Sequence, residues 1–305
     1  MSQTLLSVEG VVKEFGRKRA VDSVSFAVRR GEILGFLGPN GAGKTTTIRM
    51  IMGITAPDQG RITYHVHGRQ ENRVPKERVG YLPEERGLYK EARVMDVLLF
   101  LAGLKGMDKK TARARSMEWL ERFGLKEYAF AKVQQLSKGM AQKVQFIASV
   151  IHDPDLVVLD EPFSGLDPVN QDLFKAEIRR LAASGSAVLL SSHQMNLVEE
   201  LCHSIFLIHH GKRVLYGSLY DIKAEYGAHR VRMLITRNGW TPPPSPLVEA
   251  DERDGAWYTC LLRPGVAPVD YLRSLPDDAP IEELSLSRIS LHDIFVRTAQ
   301  GGVPG

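Results

Sequence analysis

The chain has 305 residues, 43% of them apolar, a length that favours roughly two domains, each able to bury a sizeable core. Forty basic residues against thirty-six acidic ones leave a net charge of +4, too small and too scattered to indicate nucleic acid as a partner. The two cysteines, Cys202 and Cys260, lie far apart and at no metal-ligand spacing, so they read as buried thiols of a reducing compartment.

The N-terminal Met1-Ser2-Gln3-Thr4-Leu5-Leu6 lacks a charged start followed by a long apolar stretch, and no secretory leader is expected. Residues 5 to 29 alternate apolar and polar side chains (Leu6, Val8, then Val24, Phe26, Val28) and predict a small antiparallel sheet. Phe15 sits beside Gly16 in its first hairpin, where either a core role or an exposed stacking surface is open. The basic cluster Arg17-Lys18-Arg19 reads as solvated surface.

The apolar strand Ile33-Leu34-Gly35-Phe36-Leu37 runs into Gly38-Pro39-Asn40-Gly41-Ala42-Gly43-Lys44-Thr45-Thr46, which opens a helix through Ile48, Met50 and Ile51. The spacing G-x-x-x-x-G-K-[ST] identifies a phosphate-binding loop. Glycines let the backbone approach phosphate oxygens, and the helix start points free N–H groups at the same anion. The Lys44 ammonium suits the β- and γ-phosphates, an attraction of about 4 kcal/mol at roughly 4 Å and an effective dielectric near 20. The Thr45 hydroxyl suits Mg²⁺.

A turn at Pro57-Asp58-Gln59-Gly60 precedes the strand Arg61-Ile62-Thr63-Tyr64. His65 and His67 follow with no third ligand nearby, so a surface hairpin is expected rather than a metal site. Val79 to Pro83 predicts a short strand ending in the charged loop Glu84-Glu85-Arg86-Gly87. From Val94 to Val150 the apolar period becomes helical and predicts three helices, the last opening at Leu136-Ser137-Lys138-Gly139-Met140 with Ser137 as N-cap. The longest apolar run, Val97 to Leu104, is far below the roughly 20 residues of a membrane span. Any membrane part is expected from another chain.

The α/β pattern then resumes. Leu156-Val157-Val158-Leu159 predicts a parallel strand buried on both faces, and it ends in Asp160-Glu161, where open α/β sheets place their chemistry. Ser164-Gly165-Leu166-Asp167-Pro168 leads into a helix, and the strand Ala187-Val188-Leu189-Leu190 ends in Ser191-Ser192-His193. A hairpin turned at His209-His210-Gly211-Lys212 follows, its histidines read as turn residues rather than ligands. Beyond Gly227 the composition shifts. Two strands (Val231 to Ile235, Trp257 to Leu262), a proline-rich connection and two short helices predict a small α+β domain with no chemical cluster, ending in a frayed Gly301-Gly302-Val303-Pro304-Gly305.

Together these elements resemble the ATPase subunits of the ATP-binding cassette superfamily over residues 5 to about 222. The Leu-Ser-x-Gly element at Leu136 to Gly139 is the part specific to that family, and its place in the order with Asp160-Glu161, Asp167 and His193 carries the likeness. The resemblance implies a phosphate-loop NTPase core with an N-terminal antiparallel β subdomain and a helical insertion at about 90–152. The ATPase domain would span 1–226 and the accessory α+β domain 227–305.

The resemblance also implies roles. ATP and Mg²⁺ would be the cofactors: Phe15 stacks on adenine, residues 38–46 hold the phosphates, and Thr45, Asp160 and Glu84 serve the metal. Glu161 would be the general base toward water and His193 would touch the γ-phosphate. Ser137, Gly139 and Asp167 would face a second ATPase subunit, closing head to tail on the site of the first. An integral membrane permease is the other partner implied, which places the chain on the cytoplasmic face of the membrane. Two departures stand out: Glu84 replaces the usual Gln, and Lys138 alters the usual signature. With the stretch Gly80 to Tyr89 and the C-terminal domain ending Leu291-His292-Asp293-Ile294-Phe295, they look like ATPases of export transporters related to bacterial sodium and drug exporters. The cargo itself has no signature in the chain.

Overall fold

The computed structural model describes residues 3–299 except His67, Arg86, Gly227 and Asn238. His67 as a ligand candidate and the tail 301–305 therefore lie outside the described residues. The chain divides into two compact units, Met1–Tyr216 and Gly217–Gly305.

The first unit holds two sheets. β1 (Thr4–Phe15) and β2 (Lys18–Arg29) form an antiparallel pair, and β4 (Gln59–Val66) and β5 (Arg69–Glu71) complete the order β2-β1-β4-β5. The second sheet is built from β3 (Ile33–Leu37), β6 (Val79–Leu82), β7 (Leu156–Asp160), β8 (Ala187–Ser192), β9 (Ser204–His209) and β10 (Lys212–Ser218). Its order is β10-β9-β3-β8-β7-β6, and the pairs from β9 to β6 run parallel. β3, β7 and β8 are buried along their whole length, as expected for parallel strands covered on both faces. Each such Leu or Val contributes about 1.5–3 kcal/mol on burial.

Two aromatic clusters fix the layers. Phe26 of β2 meets Phe36 of β3 and Phe206 of β9 at centroid distances of 5.4 and 5.0 Å, joining the antiparallel sheet to the parallel one. The helical insertion comprises α2 (Val94–Leu104), α3 (Lys109–Arg122) and α4 (Lys138–Val150), with α1 (Lys44–Ile51) before it and α5 (Pro168–Ala183) and α6 (Met195–Leu201) after. Phe123 and Phe146 from the insertion pack on Phe174 of α5 at 5.6 and 4.8 Å, so the insertion is seated on the segment that follows β7. Such pairs add about 0.5–1.5 kcal/mol each beyond area. One face of α2 departs from its apolar sequence: Leu104, which closes the apolar run from Val97, is 63% exposed.

The His209-Lys212 connection is a two-residue turn with positive φ at both His210 (48°) and Gly211 (77°), the geometry a right-twisted hairpin prefers. His65 pairs with the Ser7 hydroxyl at 3.2 Å. Both cysteines are buried, and burial pushes the Cys202 thiol well up.

The second unit contains α7 (Leu219–Tyr226), β11 (His229–Ile235), β12 (Val248–Asp254), β13 (Trp257–Leu262), α8 (Pro268–Arg273), β14 (Ile281–Arg288) and α9 (Leu291–Ala299). The sheet order is β12-β13-β11-β14, antiparallel throughout. The unit begins ten residues before the composition change at Gly227, because α7 belongs with it: Ile222 and Tyr226 are buried, and the Tyr226 hydroxyl bonds the Thr298 hydroxyl at 2.9 Å. β12 and β14 were not legible as strands in the sequence, being polar and exposed along nearly their whole length.

Candidate functional site

The loop between β3 and α1 is shaped by its glycines. A β-carbon on Gly43 would lie 2.7 Å from the Ala20 carbonyl oxygen, and one on Gly38 2.4 Å from that of Ile208, so neither position admits another residue unchanged. Gly43 caps α1 with φ of 112°, and no side chain takes up the first-turn N–H groups of the helix. They are left for an anion. The Lys44 ammonium is buried at 7% exposure and donates to the carbonyls of Gly38 (2.7 Å) and Pro39 (3.4 Å). It also stands 3.8 Å from Glu161 Oε1.

The parallel sheet brings the second half of the site to the same edge. In register, Asp160 at the end of β7 lies beside Ser191 of β8. The Ser191 hydroxyl donates to Asp160 Oδ1 at 2.5 Å and accepts from the Glu161 N–H at 3.1 Å. Glu161 itself has φ of 49°, the left-handed region, a strain of order 1–3 kcal/mol that needs such an anchor. Its Oε1 lies 3.0 Å from His193 Nδ1. One carboxylate oxygen thus sits between an ammonium and an imidazole.

A pocket of about 460 Å³ opens over this arrangement, lined by Asn40, Gly41, Gly43, Lys44, Thr45, Thr46, Glu84 and Glu161, with Phe15 and Lys18 at its rim of β1 and β2. Phe15 is 55% exposed, which removes the core alternative, and the Lys13 ammonium lies over its ring at 5.6 Å. Gly38 and Pro39 contribute carbonyls to Lys44, and the Ala42 side chain packs in the core, so these three take part through backbone alone.

Residues for a magnesium ion fit. Asp160 Oδ2 is buried without a hydrogen-bond partner. Burial, with lesser help from the Glu84 and Glu161 charges, pushes this carboxyl up, as expected where a cation is wanted. Among the described residues there is no group of three or more His, Cys, Asp or Glu able to hold a metal. A site of one or two carboxylates and the Thr45 hydroxyl, completed by water and phosphate, is what Mg²⁺ commonly uses.

Ser137, Gly139 and Asp167 are not among the described residues lining this pocket. Ser137 caps α4 through the Met140 N–H, Lys138 is exposed, and Asp167 caps α5 through the Asn170 N–H at 3.0 Å. Residues beyond those singled out in the sequence also take part. Lys18, read as solvated surface, lines the pocket, and only its nearness to Phe15 hinted at this. Ser191 bridges the two acidic residues, and its signal was a polar residue closing an otherwise apolar strand.

Comparison with known proteins agrees with this geometry. A family model described as ABC transporter matches residues 21–164, and one described as ATP-binding protein DrrA1-3-like, C-terminal domain, matches residues 217–299. The Nod factor export ATP-binding protein I of Ralstonia nicotianae is 36% identical, across 97% of this chain and 94% of its own. The uncharacterized ABC transporter ATP-binding protein YhaQ of Bacillus subtilis is 47% identical across 74% of this chain and 76% of its own. This chain belongs to the ABC transporter ATP-binding proteins. The linearmycin resistance ATP-binding protein LnrL of Bacillus subtilis is 34% identical across 75% of this chain and 74% of its own. A solved structure of the ATP binding subunit of an ABC transporter superposes with a TM-score of 0.68 at 31% identity, over 73% of this chain and 93% of that one. As an ABC ATPase the chain binds and hydrolyses ATP, on a P-loop NTPase fold followed by a DrrA-like C-terminal domain.

Proposed function

We propose that this ABC ATPase drives export of a cargo through a separate membrane permease, on the cytoplasmic face of the membrane, and that it works as a pair of copies. The observation that carries the reading is the path of one loop. Glu84 lines the nucleotide pocket, while Pro83, Gly87 and Leu88 of the same segment line a neighbouring groove of about 470 Å³. That groove also has Ile54, Leu101 and Leu104 on its walls, and both Ile54 and Leu104 are exposed. An apolar recess of this kind on a chain whose described residues include no membrane-spanning helix suits a segment of a permease. Gln145 of α4 donates to the Pro83 and Glu85 carbonyls, and Gln142 to the Pro162 carbonyl beside Glu161. The insertion is therefore tied to both the groove loop and the acidic pair. Export as the direction follows the printed names of relatives, Nod factor export and linearmycin resistance. A sodium or drug cargo would fit the resemblance.

In the reaction, the loop N–H groups and Lys44 hold the ATP phosphates, and Phe15 stacks on the adenine. Lys44 exchanges the Gly38 and Pro39 carbonyls for phosphate oxygens. Mg²⁺ held by Thr45, Asp160 through water, and Glu84 would neutralise phosphate charge. Glu161 takes the proton of the attacking water, and His193, on the same carboxylate, fixes its orientation and reaches the γ-phosphate. Ser137 and Gly139 at the α4 N-terminus, with Asp167, complete the site of the second copy.

Replacing Glu161 with Gln tests the assignment. Turnover should fall about 10²- to 10⁴-fold while ATP binding persists. An unchanged rate would remove Glu161 as the base. Co-purification from membranes tests the partner: a chain that stays soluble and retains no membrane protein would sink the permease reading.

A further inference from the structure

The sheet of the second unit has two outer strands: β12, whose Val248–Asp254 is mostly charged, and β14, which carries leucines. β14 is the last strand in the order β12-β13-β11-β14, paired with β11 on one side. On its core-facing side, Leu286 lies opposite Val231 and Leu284 opposite Met233, both of which are fully buried. Directly opposed residues of an antiparallel pair share a face, so the apolar floor of the unit runs on past β11. There it ends uncovered: Leu284 and Leu286 are 46% and 47% exposed. A strand edge with unpaired backbone groups and an apolar row is a template for another strand.

We propose that β14 pairs with β14 of a second copy of this chain, antiparallel and centred on Ser285. The strand reads Ile281-Glu282-Glu283-Leu284-Ser285-Leu286-Ser287-Arg288. About Ser285 the sequence is self-complementary. Leu284 falls opposite Leu286 of the second copy, and Glu282 falls opposite its Arg288. Ser285 meets itself on the two-fold axis. Moving the centre to Leu284 sets Glu282 against Leu286, and moving it to Leu286 sets Leu284 against Arg288. Only the Ser285 register matches apolar with apolar and acid with base. The two four-stranded sheets would then continue as one, with the leucines of both copies closing the open floor. The ladder to β11 shifts register between Leu234 and Ile235, which makes Glu282 the extra residue there, with Ile281 paired beyond it, and the Arg288 guanidinium lies over the Tyr220 ring at 5.0 Å. One strand edge buries less than the roughly 1,600 Å² of a standard interface. The dimer is therefore weak, and it needs no nucleotide, unlike closure across the ATP site.

The test uses the full chain without nucleotide. Cys202 and Cys260 are buried, so Ser285→Cys supplies the accessible thiol. A short bifunctional thiol reagent should link Ser285→Cys into dimers, because opposed Cβ atoms lie about 4.5–5.5 Å apart. Ser287→Cys should not link, since its two copies would be offset by four residues, about 14 Å along the strands at roughly 3.4 Å per residue. No dimer from Ser285→Cys, or equal linking at both positions, overturns the proposal. In sedimentation, Glu282→Arg should weaken the dimer about tenfold by opposing like charges in two symmetric places. Combining it with Arg288→Glu should restore association, an outcome misfolding cannot produce. A double variant no better than the single one would refute the register.

Discussion

β7 and β14 are both strands of four-to-six-stranded sheets, yet they are specified in opposite ways. All five residues of β7 are buried between neighbours on both sides, and it delivers Asp160 and Glu161 to the sheet edge. β14 has no buried residue and a neighbour on one side. The interior strand is held by its own composition, and the outer one by the ladder it makes with β11. Chemistry accordingly collects where the backbone is held from every direction, and association where it is left open.

The contrast is sharpest in stability. Leu189 lies in the middle of β8, fully buried, opposite Leu34 on one side and Val158 on the other. Leu189→Ala should cost about 2–5 kcal/mol, as the cavity between three rigid strands cannot collapse. Urea unfolding followed by fluorescence checks it. A loss near zero would mean that the central sheet is less tightly built than its burial implies.

Ser191 offers a finer probe of the same edge. Ser191→Ala leaves Asp160 Oδ1 and the Glu161 N–H without their shared partner, a cost of about 1–3 kcal/mol for buried groups. Because the hydroxyl anchors the left-handed Glu161 backbone, kcat should fall roughly ten- to a hundredfold, that cost expressed as a rate. KM for ATP should change little, since the phosphate loop is untouched. Ser191→Thr should recover most of the rate. A loss of stability with full kcat would show that the bridge is structural only.

The sequence made the first unit legible for physical reasons. The phosphate loop shows because only glycine fits at positions such as Gly43, and β3, β7 and β8 show because strands covered on both faces are uninterrupted apolar runs. Glu161 and His193 were identified from order and resemblance, and the structure places them 3.0 Å apart. Ser191 was hidden because its role depends on the register between β7 and β8, a long-range pairing that local pattern does not encode. Leu104 misled for the converse reason: its helical spacing is apolar, but the face it lies on borders an open groove. β12 escaped because Val248–Asp254 carries neither alternation nor a continuous apolar run, and β14 because its alternation is confined to Leu284 and Leu286 on an exposed strand.

The smallest expected effect is on the open edge itself. Leu284 is opposite the buried Met233, so alternation alone would assign it to the core and predict a large penalty for a polar substitution. With nearly half its surface already in water and no strand beyond it, Leu284→Ser should change the unfolding free energy of the dilute chain by less than about 0.5 kcal/mol, the range for surface substitutions. The same variant measured at high concentration separates folding from association. If β14 pairs with its copy, Leu284→Ser loses the concentration-dependent part of the midpoint that the unaltered chain shows, because a ligand of the folded state stabilises by mass action. A penalty of several kcal/mol at every dilution would instead mean that β14 is a core strand, and the distinction between the two kinds of strand would fail.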